Sequence, residues 1–266
     1  MRVIIALLCM TVSAWALPPT AFDAAWDVSE YETVTPIEYE TNLVWCYNFS
    51  DETACGNGIY SNEPPSGWIV NATQATASTR PTWLTNGGGC VDFDGTNDFI
   101  QVADGNVDPL DTVTDSDVIT FALWINPDVI SASASDEDTV VWSPSVIHRL
   151  QTGDDLEAYF YGADNALNAF AFVQDAWTTN EWQHMVMTFD ASTYFIYRNG
   201  VLMGSNTSFA AEGVGAAQAT AVLGAHINTS DDVYDGKIDA VRCYNSALSS
   251  SEVYNVYNDS KSDYGL

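Results

Sequence analysis

The sequence is short of positive charge. Seven Lys and Arg stand against 36 Asp and Glu in 266 residues, a formal charge of −29 at pH 7. That shortage excludes a nucleic-acid binder, which needs cations to replace the counterions on phosphate. It also disfavours docking on an anionic membrane surface. Long hydrophobic runs are missing too. The apolar run that begins at Val3 is far shorter than the about 20 residues a membrane span needs. It follows Arg2 and precedes Ala14-Trp15-Ala16, a small-x-small cleavage pattern. Residues 1–16 therefore read as a secretory signal peptide cleaved after Ala16, with a secreted, extracellular product and no membrane insertion.

Cysteine and histidine are sparse. Cys9 leaves with the signal, which leaves Cys46, Cys55, Cys90 and Cys243. An even number in an exported chain predicts two disulfides, and three pairings stay open. No Cys-x-x-Cys unit occurs, which argues against zinc. Of the three histidines, His148 and His226 have no Ser or Cys in a nucleophile context, and His184, inside the 182–190 segment, reads as a structural side chain rather than a catalyst. Gly-x-Ser-x-Gly, His-Glu-x-x-His and phosphate-binding glycine loops are all absent.

What the chain has is apolar and aromatic residues, 47% and 12% of the total, enough for a sizeable core. Residues 17–42 hold six acids, three prolines and no Lys or Arg. They read as an extended acidic lead-in or linker; the alternative is an arm that adds a strand to a neighbour, because Tyr31–Thr35 alternates. From Leu43 onward, short β-branched and aromatic segments recur between turn residues. Candidate strands are 43–49, 89–93, 99–102, 118–126, 139–142, 156–161, 166–172, 182–190, 194–198, 201–203, 219–223 and 237–244. Asn199-Gly200 is the strongest hairpin signal, because both central residues of a type I′ turn need positive φ. Ser249 with Glu252 three residues on is a capping box, and predicts one short C-terminal helix. Strands and helices do not alternate, which excludes a parallel sheet. The pattern predicts an all-β fold, a two-sheet antiparallel jelly-roll sandwich.

Three segments in order carry a resemblance. The first is Gly87-Gly-Gly-Cys-Val-Asp-Phe-Asp-Gly-Thr-Asn-Asp-Phe-Ile-Gln-Val102, followed by Ile119-Thr-Phe-Ala-Leu-Trp-Ile-Asn-Pro127. The second is Glu181-Trp-Gln-His-Met-Val-Met-Thr-Phe-Asp190, then Tyr197-Arg-Asn-Gly200. The third is Val222-Leu-Gly224, then Tyr234-Asp-Gly-Lys-Ile-Asp-Ala-Val-Arg-Cys-Tyr-Asn245 and Ala247-Leu-Ser249. Together they resemble a laminin G-like domain of the concanavalin A-like lectin/glucanase superfamily, spanning about 43–258 and leaving 259–266 as a C-terminal tail. The resemblance implies two curved sheets with the first and last strands close together. Cys90 and Cys243 depart from the small and aliphatic residues usual in the family, which looks like added disulfides.

The densest oxygen cluster is Asp92–Asp98, with three carboxylates and an amide. Hard cations want six to eight such oxygens. Relatives often bind Ca²⁺ at the sandwich edge, and Asp239 matches a frequently acidic family position. The expected ligands of a structural Ca²⁺ are thus Asp94, Asn97, Asp98 and Asp239; plain hairpin chemistry also accounts for the cluster. Laminarinase-type relatives carry paired acids on one strand, and no such run occurs here. Asp154-Asp155-Leu156-Glu157 and Asp136-Glu137-Asp138 come nearest and look like loop segments. The tryptophans point to binding, since sugars lay C–H faces on aromatic rings. Trp68, Trp83, Trp142 and Trp177 lie near loops or strand ends and are the expected platforms. Five glycosylation sequons start at Asn48, Asn71, Asn206, Asn228 and Asn258, a number close to chance.

The sequence therefore reads as a secreted, non-catalytic recognition module for carbohydrate or a glycosylated partner. Self-assembly as a structural subunit of a fibre, coat or adhesive surface is the main alternative. A diverged glycoside hydrolase using Asp154, Asp155 or Glu157 is the other.

Overall fold

The computed structural model describes residues 42–61, 71–85, 89–103, 118–129, 138–142, 146–151, 155–161, 167–173, 177–207, 220–226 and 232–266. The chain divides into two units between Pro36 and Ile37, and every described residue lies in the second. That unit is two antiparallel sheets and a C-terminal helix. The strands are β1 (Leu43–Tyr47), β2 (Ile59–Tyr60), β3 (Ala72–Thr73), β4 (Thr82–Leu84), β5 (Cys90–Asp94), β6 (Ile100–Ala103), β7 (Val118–Pro127) and β8 (Asp138–Trp142). They continue with β9 (Val146–Gln151), β10 (Asp155–Tyr161), β11 (Leu167–Val173), β12 (Gln183–Asp190), β13 (Tyr194–Arg198), β14 (Val201–Asn206), β15 (Thr220–Leu223) and β16 (Asp235–Tyr244). One sheet runs β14-β13-β12-β7-β16-β5-β4, with β1 also on β16. The other runs β11-β10-β9-β8-β15-β6-β3-β2. This is the two-sheet sandwich the sequence predicts.

The first and last strands pair directly, Leu43 opposite Tyr244 and Tyr47 opposite Val241. The long β16 serves two neighbours along one edge: β5 pairs with Asp235–Ile238 and β1 with Val241–Tyr244. Between them the ladder to β7 slips. Asp239 faces Trp124 while Arg242 faces Ala122, and Ala240 sits at φ +46. This β-bulge puts Asp239 and Arg242, three residues apart, on one face of the sheet.

The sandwich core lies between the sheets. Val91, Phe93, Phe121, Leu123, Met185, Met187 and Ile238 meet Tyr60, Ala72, Ile100, Val140 and Leu223 across it. Yet β7 and β12 are buried at nearly every residue, not at alternate ones. The reason is a second core on the outer face of the first sheet. Ala122, Val186, Tyr197 and Tyr244 pack there with Leu248, Val253 and Val256. The last two belong to α2 (Ser250–Ser260); α1 is a five-residue turn, Glu52–Gly56, capped by Asp51. Ser249 caps α2 through the capping box read from the sequence, its Oγ accepting from Glu252 N while Glu252 Oε2 accepts from Ser249 N at 2.7 Å. A 3₁₀ turn, Lys261–Tyr264, continues the helix over residues that the sequence assigns to a tail. Asn199 and Gly200 take φ +50 and +76, the positive pair a type I′ hairpin requires.

The disulfide expectation is corrected. None of Cys46, Cys55, Cys90 and Cys243 is in a disulfide, and all four thiols are buried. Strand alternation is one reason: Cys46 lies opposite Arg242 and packs in the outer core, whereas Cys243 points into the sandwich. Burial, then Asp51, pushes the Cys55 thiol up to about 11, and burial, then Asp239, pushes Cys90 to about 12. Both stay protonated and unreactive at neutral pH.

Candidate functional site

Three of the four expected cation ligands share the β5–β6 turn. Asp94 Oδ1 accepts from Thr96 N at 2.9 Å and Asn97 N at 3.2 Å, and Asp94 N donates to Asp98 Oδ2 at 3.2 Å. Asp98 is only 5% exposed. Burial, reinforced by Asp94, lifts its carboxyl to about 6. Asn97 Oδ1 is buried with no hydrogen-bond partner among the described residues. Asp94, Asn97 and Asp98 are the side chains of this turn that could offer oxygens to a hard cation, which would satisfy the Asn97 amide oxygen and compensate the charge of Asp98. Carboxylates alone do not make a cage: among the described residues no three His, Cys, Asp or Glu side chains are placed to hold a metal.

Asp239 is elsewhere. Asp235 pairs with Asp94, and Asp239 lies four residues further along β16, roughly 13 Å at strand rise. Its carboxylate is 4% exposed and already engaged, Oδ2 by Tyr264 Oη at 2.7 Å and Oδ1 by Ala240 N at 2.6 Å. Burial raises it to about 7, against the pull of those two hydrogen bonds and Arg242.

The tryptophan platforms divide. Trp177 is corrected: it is 3% exposed and packs within the sandwich core, the Gln183 side chain holding the adjacent Thr178 backbone against the start of β12. Trp83 is half-buried against the same core and its Nε1 is bound to Phe49 O at 2.7 Å. Trp142 ends β8, opposite Val222 of β15 and Ile147 of β9. Trp68 lies outside the described residues, as do Asp154 and Asp136–Glu137. Asp155 and Glu157 stand on β10, not in a loop, two residues apart and so on one face, with Glu157 opposite Arg149.

What the sequence did not indicate is an aromatic cluster beneath the C-terminal turn. Trp124, 1% exposed, stacks on Tyr264 with centroids 3.9 Å apart and planes 19° off parallel. Trp182 meets Tyr264 at 5.0 Å with its plane tilted by 55°, and His184 and Tyr257 lie 5.1 and 5.8 Å from the Trp124 ring. Trp124 Nε1 donates to Ser260 Oγ at 3.0 Å. Burial, then Arg242, holds His184 down to about 3, so its imidazole is neutral. A shallow recess also opens between the end of β1 and α1. Asn48, Ser50, Asp51, Ile59 and Ser61 line it, and Ile59 is exposed.

A family model described as the concanavalin A-like lectin/glucanases superfamily matches residues 94–254, and the chain belongs to this family. It is a laminin G model, as the sequence resemblance implies. No curated protein sequence matches the chain. Among solved structures, the chain is similar to the botulinum neurotoxin serotype D ligand binding domain in complex with N-acetylneuraminic acid. The TM-score is 0.65 at 15% identity, over 84% of this chain and 52% of that one. The serotype G binding domain gives 0.64 at 14% identity, over 82% and 51%. Domain 4 of AbnA, an extracellular GH43 arabinanase from Geobacillus stearothermophilus in complex with arabinotriose, gives 0.57 at 20% identity, over 81% and 98%. The chain spans about half the length of the toxin domains. At these identities the likeness shows the fold.

Proposed function

We propose that this chain is an exported, non-catalytic module that binds carbohydrate or a glycosylated partner. The observation that carries the reading is the fold: a concanavalin A-like sandwich shared with a neurotoxin ligand binding domain and with domain 4 of an arabinanase, each in complex with a sugar. Polar side chains at the rim beside exposed apolar surface, as in the β1–α1 recess, suit a hydroxyl-rich ligand. Trp142 and Trp68 remain the platforms for it. A structural Ca²⁺ on Asp94, Asn97 and Asp98 pins the β5–β6 turn and offsets repulsion among the acids there. The test is a glycan array probed with purified chain, with and without a chelator. Saturable binding to a defined glycan class supports the reading; no signal in either condition defeats it.

Self-assembly is the second reading, favoured by one observation. Val201 and Leu202 on the edge strand β14 are 61% and 47% exposed, beside an exposed Tyr254 on α2. Size-exclusion chromatography decides it: large ordered assemblies support a structural subunit, and a monomer removes it.

A further inference from the structure

We infer that the cleft beneath the C-terminal turn is a second site for a saccharide ring, which Tyr264 of the same chain occupies. This rests on the carbohydrate reading and goes beyond it by assigning a site and a plug. Proteins hold a pyranose by two contacts: its C–H face lies flat on an indole, and a ring-edge hydroxyl donates to a carboxylate. Tyr264 makes both. Its ring lies on Trp124 at 3.9 Å and 19°, and its hydroxyl donates to Asp239 Oδ2 at 2.7 Å. Trp182 is a second indole in contact with the tyrosine ring.

A polar atom next to the Trp124 platform is left unmet. His184 is 2% exposed, and its Nδ1 has no hydrogen-bond partner among the described residues. It lies 5.1 Å, ring to ring, from the Trp124 platform. A phenol has one hydroxyl and leaves that nitrogen unmet; a sugar ring carries hydroxyls around its whole edge. A buried, unmet imidazole nitrogen beside an aromatic platform and an aligned carboxylate is what a purely structural tyrosine plug fails to explain.

The plug can leave without unfolding the rest. Val253 and Val256 anchor α2 in the outer core, and Ser260 is fixed at Trp124. Beyond them comes the 3₁₀ turn Lys261–Tyr264, whose Ser262 and Asp263 are exposed. A site covered most of the time binds with its affinity reduced by the fraction of open molecules, so removing the cover raises the apparent affinity.

The experiment compares wild type and Tyr264→Ala, both as full chains, on one glycan array and by tryptophan-fluorescence titration with arabinotriose and N-acetylneuraminic acid. Thermal melts establish that the variant is folded. The expected result is a gain of about tenfold or more in affinity for at least one glycan, or a glycan bound by the variant alone. Asp239→Ala placed on top should cancel that gain. Tyr264→Phe keeps the ring and frees Asp239; if Tyr264→Ala does not fold, a smaller gain with Tyr264→Phe carries the test, and no gain overturns the site. Equal binding by wild type and Tyr264→Ala overturns the site and leaves the carbohydrate reading standing. No glycan bound by either overturns both.

Discussion

Tyr264 Oη donates a 2.7 Å hydrogen bond to Asp239 Oδ2, and joins the 3₁₀ turn after α2 to a carboxylate buried at the bulge of β16. The bond draws part of its strength from charge on Asp239. Burial works against that charge more strongly, and the carboxyl titrates near 7.

A pH dependence follows. In the unfolded chain Asp239 titrates near 3.8, so the folded form holds its proton more tightly. Its stabilising contribution is complete below about 3.8 and is lost as pH rises through about 7. Asp98 acts in the same direction, up to about 6. His184 opposes both, because its folded value near 3 is below the unfolded 6.5, so its contribution falls as pH drops below 6.5. Of these three groups, Asp239 alone has its folded value between pH 8 and 6.5. Wild-type Tm should therefore rise as pH falls across that interval, and Asp239→Asn should flatten the rise and melt higher at pH 8. The gain expected at pH 8 is a few kcal/mol, roughly 4 at most. A variant that melts lower than wild type at pH 8 contradicts the assignment.

Calcium should stabilise the β5–β6 turn. Chelator-treated protein should gain Tm on addition of Ca²⁺, equivalent to about 2.7 kcal/mol at a hundredfold excess over Kd. Asn97→Ala should abolish the gain, while Asp239→Asn should leave it. A melting curve indifferent to Ca²⁺ removes the proposed ion.

Gly224 should not tolerate a side chain. Its φ is +82, and an added Cβ collides with the Phe93 ring, which is buried in the sandwich core. Gly224→Ala should cost about 3 kcal/mol, combining backbone strain with overpacking. Denaturant titration measures this; a cost near zero means that Phe93 and Gly224 are not apposed.

The thiols should be countable. A chain starting at Leu17 has four cysteines, all buried and none in a disulfide. A thiol reagent should find almost none in the native protein and four after denaturation without reductant. Two or zero after denaturation would restore disulfides to the fold.

Local signals made much of this fold legible. Asn199-Gly200 fixed a hairpin because two consecutive positive φ values need those residues, and Ser249 with Glu252 fixed the start of α2 because both side chains bond within one turn. The segments β7 and β12 were plain from their apolar, β-branched runs. Less was legible where distant parts of the chain meet. Val146–Gln151 carries a His and an Arg and gives weak alternation, so β9 was missed. Trp177 stands among turn residues, and closure of the sandwich, which no local pattern shows, buries it. Ala240 takes a positive φ with no glycine to announce it. The partnership of Tyr264 with Asp239 joins residues 25 positions apart through that unannounced bulge, in a segment whose polar composition reads as a tail.

The most direct test of the central claim is calorimetric titration of the purified chain with an oligosaccharide selected on the array, followed by chromatography of the recovered sugar. Recognition without catalysis predicts saturable heat and a sugar returned intact. Shortened products, or no heat with any saccharide, would contradict it.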